Sequence, residues 1–335
     1  MREANQLCAV ICTRDRPEKL RRALKSLIAQ VEPPAQILVV DNAPGDDASR
    51  KLVQKDFPSV SYVQEPLPGL DFARNRSLRE TEADIVAFLD DDAVADPDWV
   101  YETATVFQNN PQVVIVTGKV DALTQGTEGE LLVEANGGFG RGERTIRLPH
   151  DRRRRLHGFP APLIAWANSV GSGCSMAVRR EFVLRLGGFD EGLDMGPPLP
   201  GGGDFDMLWR VLNAGSEIVY EPKVKARHEH RADRAGAVLQ ILEHNRALVA
   251  VLVKSLQNTG GIKKMGVFSF LLWRLAKPGV RIARRAANSD PLTVRELLRL
   301  WFFCWRGLVS YSAARRLAHQ LAAPGSPQAA DSTGR

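Results

Sequence analysis

Cysteine is scarce. The four residues, Cys8, Cys12, Cys174 and Cys304, form no Cys-x-x-Cys pair. Their spacing excludes a disulfide framework, argues against a structural zinc site and fits a reducing compartment. The first residues, Met1 to Leu7, are polar, so no secretory signal is expected and a cytoplasmic location is. No run of about 18 apolar residues is uninterrupted, so no spanning helix is expected. Arg274 breaks one candidate, and Arg299 and Arg306 break another. Acidic residues are nearly missing from one section. Lys263 to Arg316 holds twelve Lys or Arg against Asp290 and Glu296 alone, in a chain of net charge +6. An excess so localised points to an anionic partner such as a membrane, a nucleic acid or a phosphorylated substrate. That section has no recognisable base-reading motif, so nucleic acid is not expected.

The chain is not short of material for a core. Its 335 residues, 44% hydrophobic and 25% charged, suffice for one large α/β domain with an appendage. Short apolar runs alternate with helical periodicity. Cys8 to Cys12, Ile37 to Val40, Val60 to Val63, Ile85 to Leu89 and Val113 to Thr117 read as strands. Pro17 suits a first helical turn, with Leu20, Ala23, Leu24 and Leu27 at helical spacing behind it. Asp71 to Thr81 and Pro97 to Gln108 also read as helices. The pattern predicts a doubly wound, Rossmann-like α/β sheet, largely parallel, whose ligands sit beyond the carboxyl ends of the strands. From Asp121 to Ala165 the pattern weakens, and the stretch, which includes Arg152 to Arg155, reads as an insertion or mobile loop. That arginine run is either a solvated loop or a contact for a diphosphate or lipid phosphate. Order returns at Gly173 to Val178, followed by a helix, the turn Gly187-Gly188, a helix at Asp204 to Asn213 and a strand at Glu217 to Tyr220. Residues 1–232 are expected to form the catalytic unit, split into halves 1–118 and 119–232. A basic helical extension over 233–321 and a disordered tail over 322–335 follow.

Asp41 and Asp90 fall at strand ends. Asp90-Asp91-Asp92 follows a buried strand directly, and three carboxylates there are unfavourable unless neutralised. In extended chain Asp90 and Asp92 point the same way, forming a clamp for Mg²⁺ or Mn²⁺ with positions left for phosphate oxygens. The plainer reading is a solvated acidic turn. Asp41 suits a ribose or base contact, or a turn. His228 and His230 alternate and offer imidazole to a metal, unless they sit in an exposed loop. Asp204 and Asp206 follow three glycines at a helix start, where an aspartate also serves as a cap.

Five ordered segments carry a resemblance. They are Cys12-Thr-Arg-Asp-Arg-Pro17, Val39-Val-Asp-Asn42, Gly69-Leu-Asp-Phe-Ala-Arg-Asn75, Phe88-Leu-Asp-Asp-Asp92 and Gly202-Gly-Asp-Phe-Asp206, with His228 beyond them. Together they resemble the family 2 glycosyltransferases of the glycosyltransferase-A fold, over about residues 7 to 232. The resemblance implies an inverting transfer of sugar from a nucleotide-diphosphate donor, a UDP-sugar being expected, to a glycan, lipid-linked or small-molecule acceptor. It implies that Thr13, Arg14, Asp41, Arg74, Asn75, Asp90 and Asp91 serve the nucleotide. Asp90, Asp92 and His228 would hold Mg²⁺ or Mn²⁺. Gly171, Gly173, Cys174, Gly203 and Asp206 would lie on the acceptor side, and Asp204 would be the general base. One position departs from the family: a glutamate normally precedes the aspartate of the last motif, and here Gly203 stands in its place. Gly137 to Gly140 and the glycines at 201 to 203 resemble a bacterial branch acting on cell-envelope or secondary glycans.

Two rivals remain at this level. A sugar-phosphate nucleotidyltransferase shares the sheet and acidic ligands, but Thr13 to Pro17 lacks the glycine-rich loop of such enzymes. A non-catalytic scaffold docked on a membrane is the other. For the extension, a helix over Pro291 to Tyr311 puts Arg295, Arg299 and Arg306 on one narrow face. Leu297, Leu298, Trp301, Trp305 and Leu308 spread over the opposite face. This is the pattern of an interfacial helix on the inner face of a cell membrane. Packing on the catalytic domain or in a homodimer is the alternative.

Overall fold

Alternation within single strands sets the layers of this computed structural model, which describes residues 6–124, 126–153, 161–285 and 290–323. In β1 (Leu7–Thr13), Leu7, Ala9 and Ile11 enter one apolar cluster, and Cys8 and Val10 enter another. β2 (Gln36–Asn42) and β4 (Ile85–Leu89) divide in the same way, as a period of two requires. Strands apolar on both sides need cover on both sides. The helices α1 (Pro17–Ile28), α2 (Ala48–Asp56) and α4 (Trp99–Asn109) cover one face. The other face meets α3 (Leu70–Glu80), α8 (Gly203–Asn213) and α9 (Arg234–Asn258).

The sheet has nine strands. β3 (Ser61–Glu65), β2, β1 and β4 run parallel in that order. The expectation of a largely parallel sheet fails at the next position. β8 (Ser175–Arg179) lies antiparallel to both β4 and β6 (Val113–Ala122). The reversal has a cause and a use. The chain enters β8 opposite Leu89, so residues 171–174 land at the carboxyl end of β4, where the Asp90 N–H donates to the Cys174 carbonyl at 3.2 Å. β9 (Glu217–His228) runs parallel to β6 and is much longer than its apolar core suggests. Its far end pairs with β5 (Ala93–Ala95), Ala93 facing His228, which draws the acidic triplet against that histidine.

The stretch read as an insertion is partly regular. It holds α5 (Glu128–Ala135), started by a Thr127/Glu130 capping box, and β7 (Ile146–Leu148), which pairs with β9. The side chains of Arg152 to Arg155, and the tail from residue 324, lie outside the described residues. Three short elements follow among the described residues: a 3-10 turn at His150–Arg153, α6 (Leu163–Ala167) and α7 (Arg180–Arg185).

After residue 232 come α9, α10 (Gly261–Arg284) and α11 (Val294–Ala322). Their inward residues, among them Leu242, Val249, Leu271, Leu297 and Tyr311, belong to the same apolar cluster as one face of the sheet. The extension is thus part of the core. α9 has the length and apolarity of a membrane span, yet 61% of its most apolar window is buried inside the protein.

Candidate active site

Two cavities meet along the carboxyl edge of the parallel strands. The first, about 380 Å³, lies over the ends of β1, β2 and β4 and is lined by Thr13, Arg14, Asn42, Asp90, Asp92 and His228 among others. The second, about 430 Å³, lies between the β8 entry loop, α8 and α9, and reaches Arg74, Gly173, Asp204 and His244. Asp90 and Asp194 line both.

The acidic triplet divides its work. Asp92 Oδ1 is 3.0 Å from His228 Nε2, and its Oδ2 faces Arg16 at 3.5 Å and Lys19 at 3.6 Å. Burial works against the Asp92 charge, but His228, Lys19 and Arg16 outweigh it and hold the carboxyl well below the usual range. Burial and the neighbouring Asp92 charge push Asp90 up to about 6. His228 is raised: burial opposes its charge, and Asp92 and Asp90 overcome that. Asp91 points elsewhere. It accepts from the Thr13 hydroxyl at 2.8 Å and from Arg16 at 3.2 Å. Both Thr13 and Asp91, expected at the nucleotide, line the first cavity, where they engage each other at the start of the loop.

A divalent cation fits this donor set. One atom each from Asp90, His228 and Cys174 lies within 4.8 Å of the others, and Asp92 touches the same histidine. The His228 Nδ1 is buried with no hydrogen-bond partner. Two carboxylates and an imidazole suit Mg²⁺ or Mn²⁺. Cys174 is a poor fourth ligand, because burial raises its pKa and keeps the sulfur protonated. His230 turns to Glu134 at 3.2 Å and is not among the candidate ligands.

Asp41 is fully buried at the end of β2. Its Oδ2 accepts from the Tyr62 hydroxyl at 2.7 Å, and its Oδ1 has no partner. A buried carboxylate oxygen without a donor is unfavourable, and a ribose hydroxyl or a base N–H would satisfy it. Arg14 is exposed at the rim and pairs only with Asp15, at 3.8 Å.

Arg74 and Asn75 are placed differently from the expectation. Arg74 is buried on the acceptor-side cavity. It pairs with Asp71 at 2.9 Å and with Asp194 at 3.4 Å, and lies against the Phe189 ring. The carboxamide of Asn75 faces away from both cavities. It donates to the Phe189 carbonyl and accepts from the Phe189 N–H, fastening the following turn. The helical pitch is the reason, since consecutive residues of α3 point about 100° apart.

Asp204 stands at the start of α8, its Oδ2 accepting from the Gly173 N–H at 2.7 Å. A side chain at Gly173 would meet Arg74 Nη2 at 2.6 Å, and one at Gly171 would meet Thr117 at 2.5 Å, so this loop must be bare to pack against Arg74 and Thr117. Gly202, in the left-handed region at φ 102°, makes the turn that aims the helix start. Asp206, expected on the acceptor side, is buried behind the helix. There it holds Arg210 at 2.8 Å and Lys254 at 2.7 Å. Motif reading missed Arg16, Lys19, Tyr62, Asp71, Asp194 and His244. The sequence signals were the places of Arg16 and Asp71 inside quoted segments and the Arg16/Lys19 spacing, which puts two cations at the start of α1.

Comparison with known proteins follows from this geometry. The model of the family described as "Glycosyl transferase family 2" matches residues 8–186. A glucosyl-dolichyl phosphate glucuronosyltransferase of Haloferax volcanii is 27% identical over 191 residues, 55% of this chain and 56% of that protein. A pre-mycofactocin glycosyltransferase of Mycobacterium tuberculosis is 25% identical over 285 residues, 83% of this chain and 54% of that one. The succinoglycan biosynthesis protein ExoM of Rhizobium meliloti is 27% identical, covering 64% of this chain. The chain spans little more than half the length of the first two relatives. A solved mannosyltransferase of Pyrobaculum calidifontis, in complex with GDP-Man and Mn²⁺, shares the fold at a TM-score of 0.57 and 18% identity. The match covers 93% of this chain and 86% of that one.

Proposed function

The chain belongs to glycosyl transferase family 2, and on that premise we propose that it is a metal-dependent, inverting enzyme acting on a nucleoside-diphosphate sugar. The acceptor is a hydroxyl on a glycan, a lipid-linked sugar or a small molecule. The observation that carries this reading is the meeting of Asp90, Asp92 and His228 in one cavity with Asp204 in the cavity beside it. The unpartnered Asp41 oxygen receives the nucleoside. Asp90, Asp92 and His228 would hold Mg²⁺ or Mn²⁺, which offsets the charge that develops on a leaving diphosphate. Arg16 and Lys19 add positive charge on the same side. Asp204 removes the acceptor proton, its carboxylate aimed by the Gly173 N–H. No cysteine serves as a nucleophile, since burial pushes Cys12 up to about 12 and Cys174 well above its ordinary value. Direct displacement inverts the anomeric centre. Relatives named for lipid-linked, small-molecule and polysaccharide pathways support an acceptor of this range.

The test is a panel of nucleotide sugars incubated with the full chain and Mn²⁺. Protein-dependent donor hydrolysis, or transfer with inverted configuration by NMR, is expected. Silence toward every donor favours a binding scaffold. A product that keeps the donor's configuration overturns direct displacement, and pyrophosphate release from a nucleoside triphosphate favours a nucleotidyltransferase.

We also propose that this enzyme sits on an anionic membrane surface, on the cytoplasmic side. Leu297 faces inward, unlike the sequence expectation, but Leu298, Phe302, Trp305 and Val309 of α11 and Ile262, Met265, Leu272 and Trp273 of α10 face out. Their exposures run from 45% for Trp273 to 81% for Ile262. Such a concentration of exposed apolar side chains exceeds the scattered residues of an ordinary surface. Lys263, Lys264, Arg295, Arg299 and Arg306 are exposed on the same two helices, which selects anionic lipid as the occupant. Sedimentation with phosphatidylglycerol vesicles, compared between wild type and Phe302→Ser/Trp305→Ser, tests this. Loss of binding in the variant supports it. Equal binding, or a concentration-dependent homodimer that the variant dissolves, overturns it.

A further inference from the structure

α8 begins without a side chain where a carboxylate is most useful. At Gly203, beside the base Asp204, an added Cβ would overlap Asp71 Oδ2 and lie 2.6 Å from Asp194 Oδ2. The space is therefore already filled, and by carboxylates from other parts of the chain. Of the two, Asp71 is shut away. It is fully buried, its Oδ1 is paired with Arg74 at 2.9 Å, and although its Oδ2 has no partner it lines neither cavity. Asp194 is different. Its Oδ2 accepts the Gly203 N–H at 2.9 Å and meets Arg74 at 3.4 Å, while no described residue donates to its Oδ1. Its side chain keeps 14% of its exposure and lines both the donor-side and acceptor-side cavities.

The backbone is shaped to put it there. Asp194 has φ 51°, in the left-handed region that few side chains adopt. Its carbonyl accepts the Leu70 N–H at 3.0 Å, tying the residue to the start of α3. A residue type that accepts the left-handed turn, whose carboxylate reaches across to the start of α8 with one oxygen left for a ligand, places a charge between the two cavities.

We propose that Asp194 binds the acceptor: its free oxygen receives a hydroxyl of the acceptor sugar adjacent to the one that Asp204 deprotonates. Asp194 thereby supplies, from the preceding loop, the carboxylate that Gly203 cannot. The acceptor class is a polyol or sugar with neighbouring hydroxyls. A lone alcohol would leave the Asp194 oxygen unpaired. This inference rests on the glycosyltransferase reading above, and the test separates the two.

Asp194→Asn keeps an oxygen for the Gly203 N–H and tolerates the left-handed backbone. It removes the negative charge and replaces one acceptor oxygen with a donor. Asp194→Gly removes the side chain and relaxes the backbone. Wild type and both variants are assayed for donor hydrolysis and for transfer to octyl glycosides, each with Mn²⁺. The expected result is a loss of at least tenfold in kcat/KM for the glycoside in both variants, well beyond any change in donor hydrolysis. Unchanged glycoside kcat/KM in either variant overturns the proposal. So does a parallel fall of hydrolysis and transfer, which would mean that Asp194 acts on the donor through Arg74. Absence of donor hydrolysis in wild type would instead sink the underlying reading.

Discussion

Asp204 and Asp206 show how far two nearby carboxylates can part. Both lie in the first turn of α8, but one lines a cavity and the other is buried against Lys254 and Arg210. Asp204→Asn is expected to keep nucleotide and Mn²⁺ binding and to lose transfer by about 10²–10⁴-fold, the range for a general base. Near wild-type transfer would show the assignment to be wrong. Asp41→Ala should weaken nucleoside diphosphate binding while leaving pyrophosphate binding with Mn²⁺ intact, if its unpartnered oxygen receives the nucleoside as proposed. Equal loss of both ligands would make Asp41 structural. Asp90 and His228 give the pH dependence. Both protons must leave before the pair can bind a cation; the Asp90 pKa is raised to about 6, and His228 is raised above its ordinary value. Mn²⁺-dependent nucleotide affinity should be level only above the titration of His228 and fall as pH drops through both groups, more steeply than the roughly tenfold per unit of a single proton once both are protonated. Titration calorimetry between pH 5 and 8 checks this, and a flat profile would contradict it. The candidate ligands were legible because they stand at strand ends in recognisable runs. Asp194 and Tyr62 were not, because their neighbours in sequence carry no motif; Asp71 stands inside a quoted segment, but its partners Arg74 and Asp194 are brought to it only by the fold.

Elements were legible where periodicity was strong. β1, α1, β2, α3 and β4 stand close to where alternation and helical spacing put them. The reversed direction of β8 was hidden, because a buried five-residue run reads the same for either direction. The length of β9 was hidden too: beyond Tyr220 only Val224 and Ala226 are apolar and buried among Glu221, Lys223, Lys225 and Arg227, and the stretch is paired with β6 and β5. α9 has the most consequential unread contact. Its Lys254 reaches down to Asp190 and to Asp206 of α8, with little exposure on any of the three. Removing the ammonium would leave two buried carboxylates with a deficit of positive charge. Lys254→Met is expected to cost about 3–5 kcal/mol, as when one partner of a buried pair is lost. Urea unfolding would measure it, and a change under 1 kcal/mol would show the network to be well solvated.

At the scale of the molecule, the sheet edge and the helical extension form one structure. Helix α9 lines the acceptor-side cavity through His244, Ala247 and Leu248 while its other residues pack on α10 and α11. The sequence shows a boundary near residue 232 because composition changes there, but composition does not report which faces share a core. The same packing leaves the outer faces of α10 and α11 apolar and basic, so catalytic cavity and proposed membrane face are held by one rigid helix set. The claim on which the rest depends is that the Asp90, Asp92 and His228 cluster holds a divalent cation that couples to the nucleotide. Calorimetry of UDP and GDP binding to the full chain, with Mn²⁺ and then with EDTA, measures that coupling. The account predicts that at least one nucleotide binds tightly with Mn²⁺ and only weakly in EDTA, and that Asp92→Asn removes the difference while the fold survives. Equal affinity in Mn²⁺ and EDTA would contradict it.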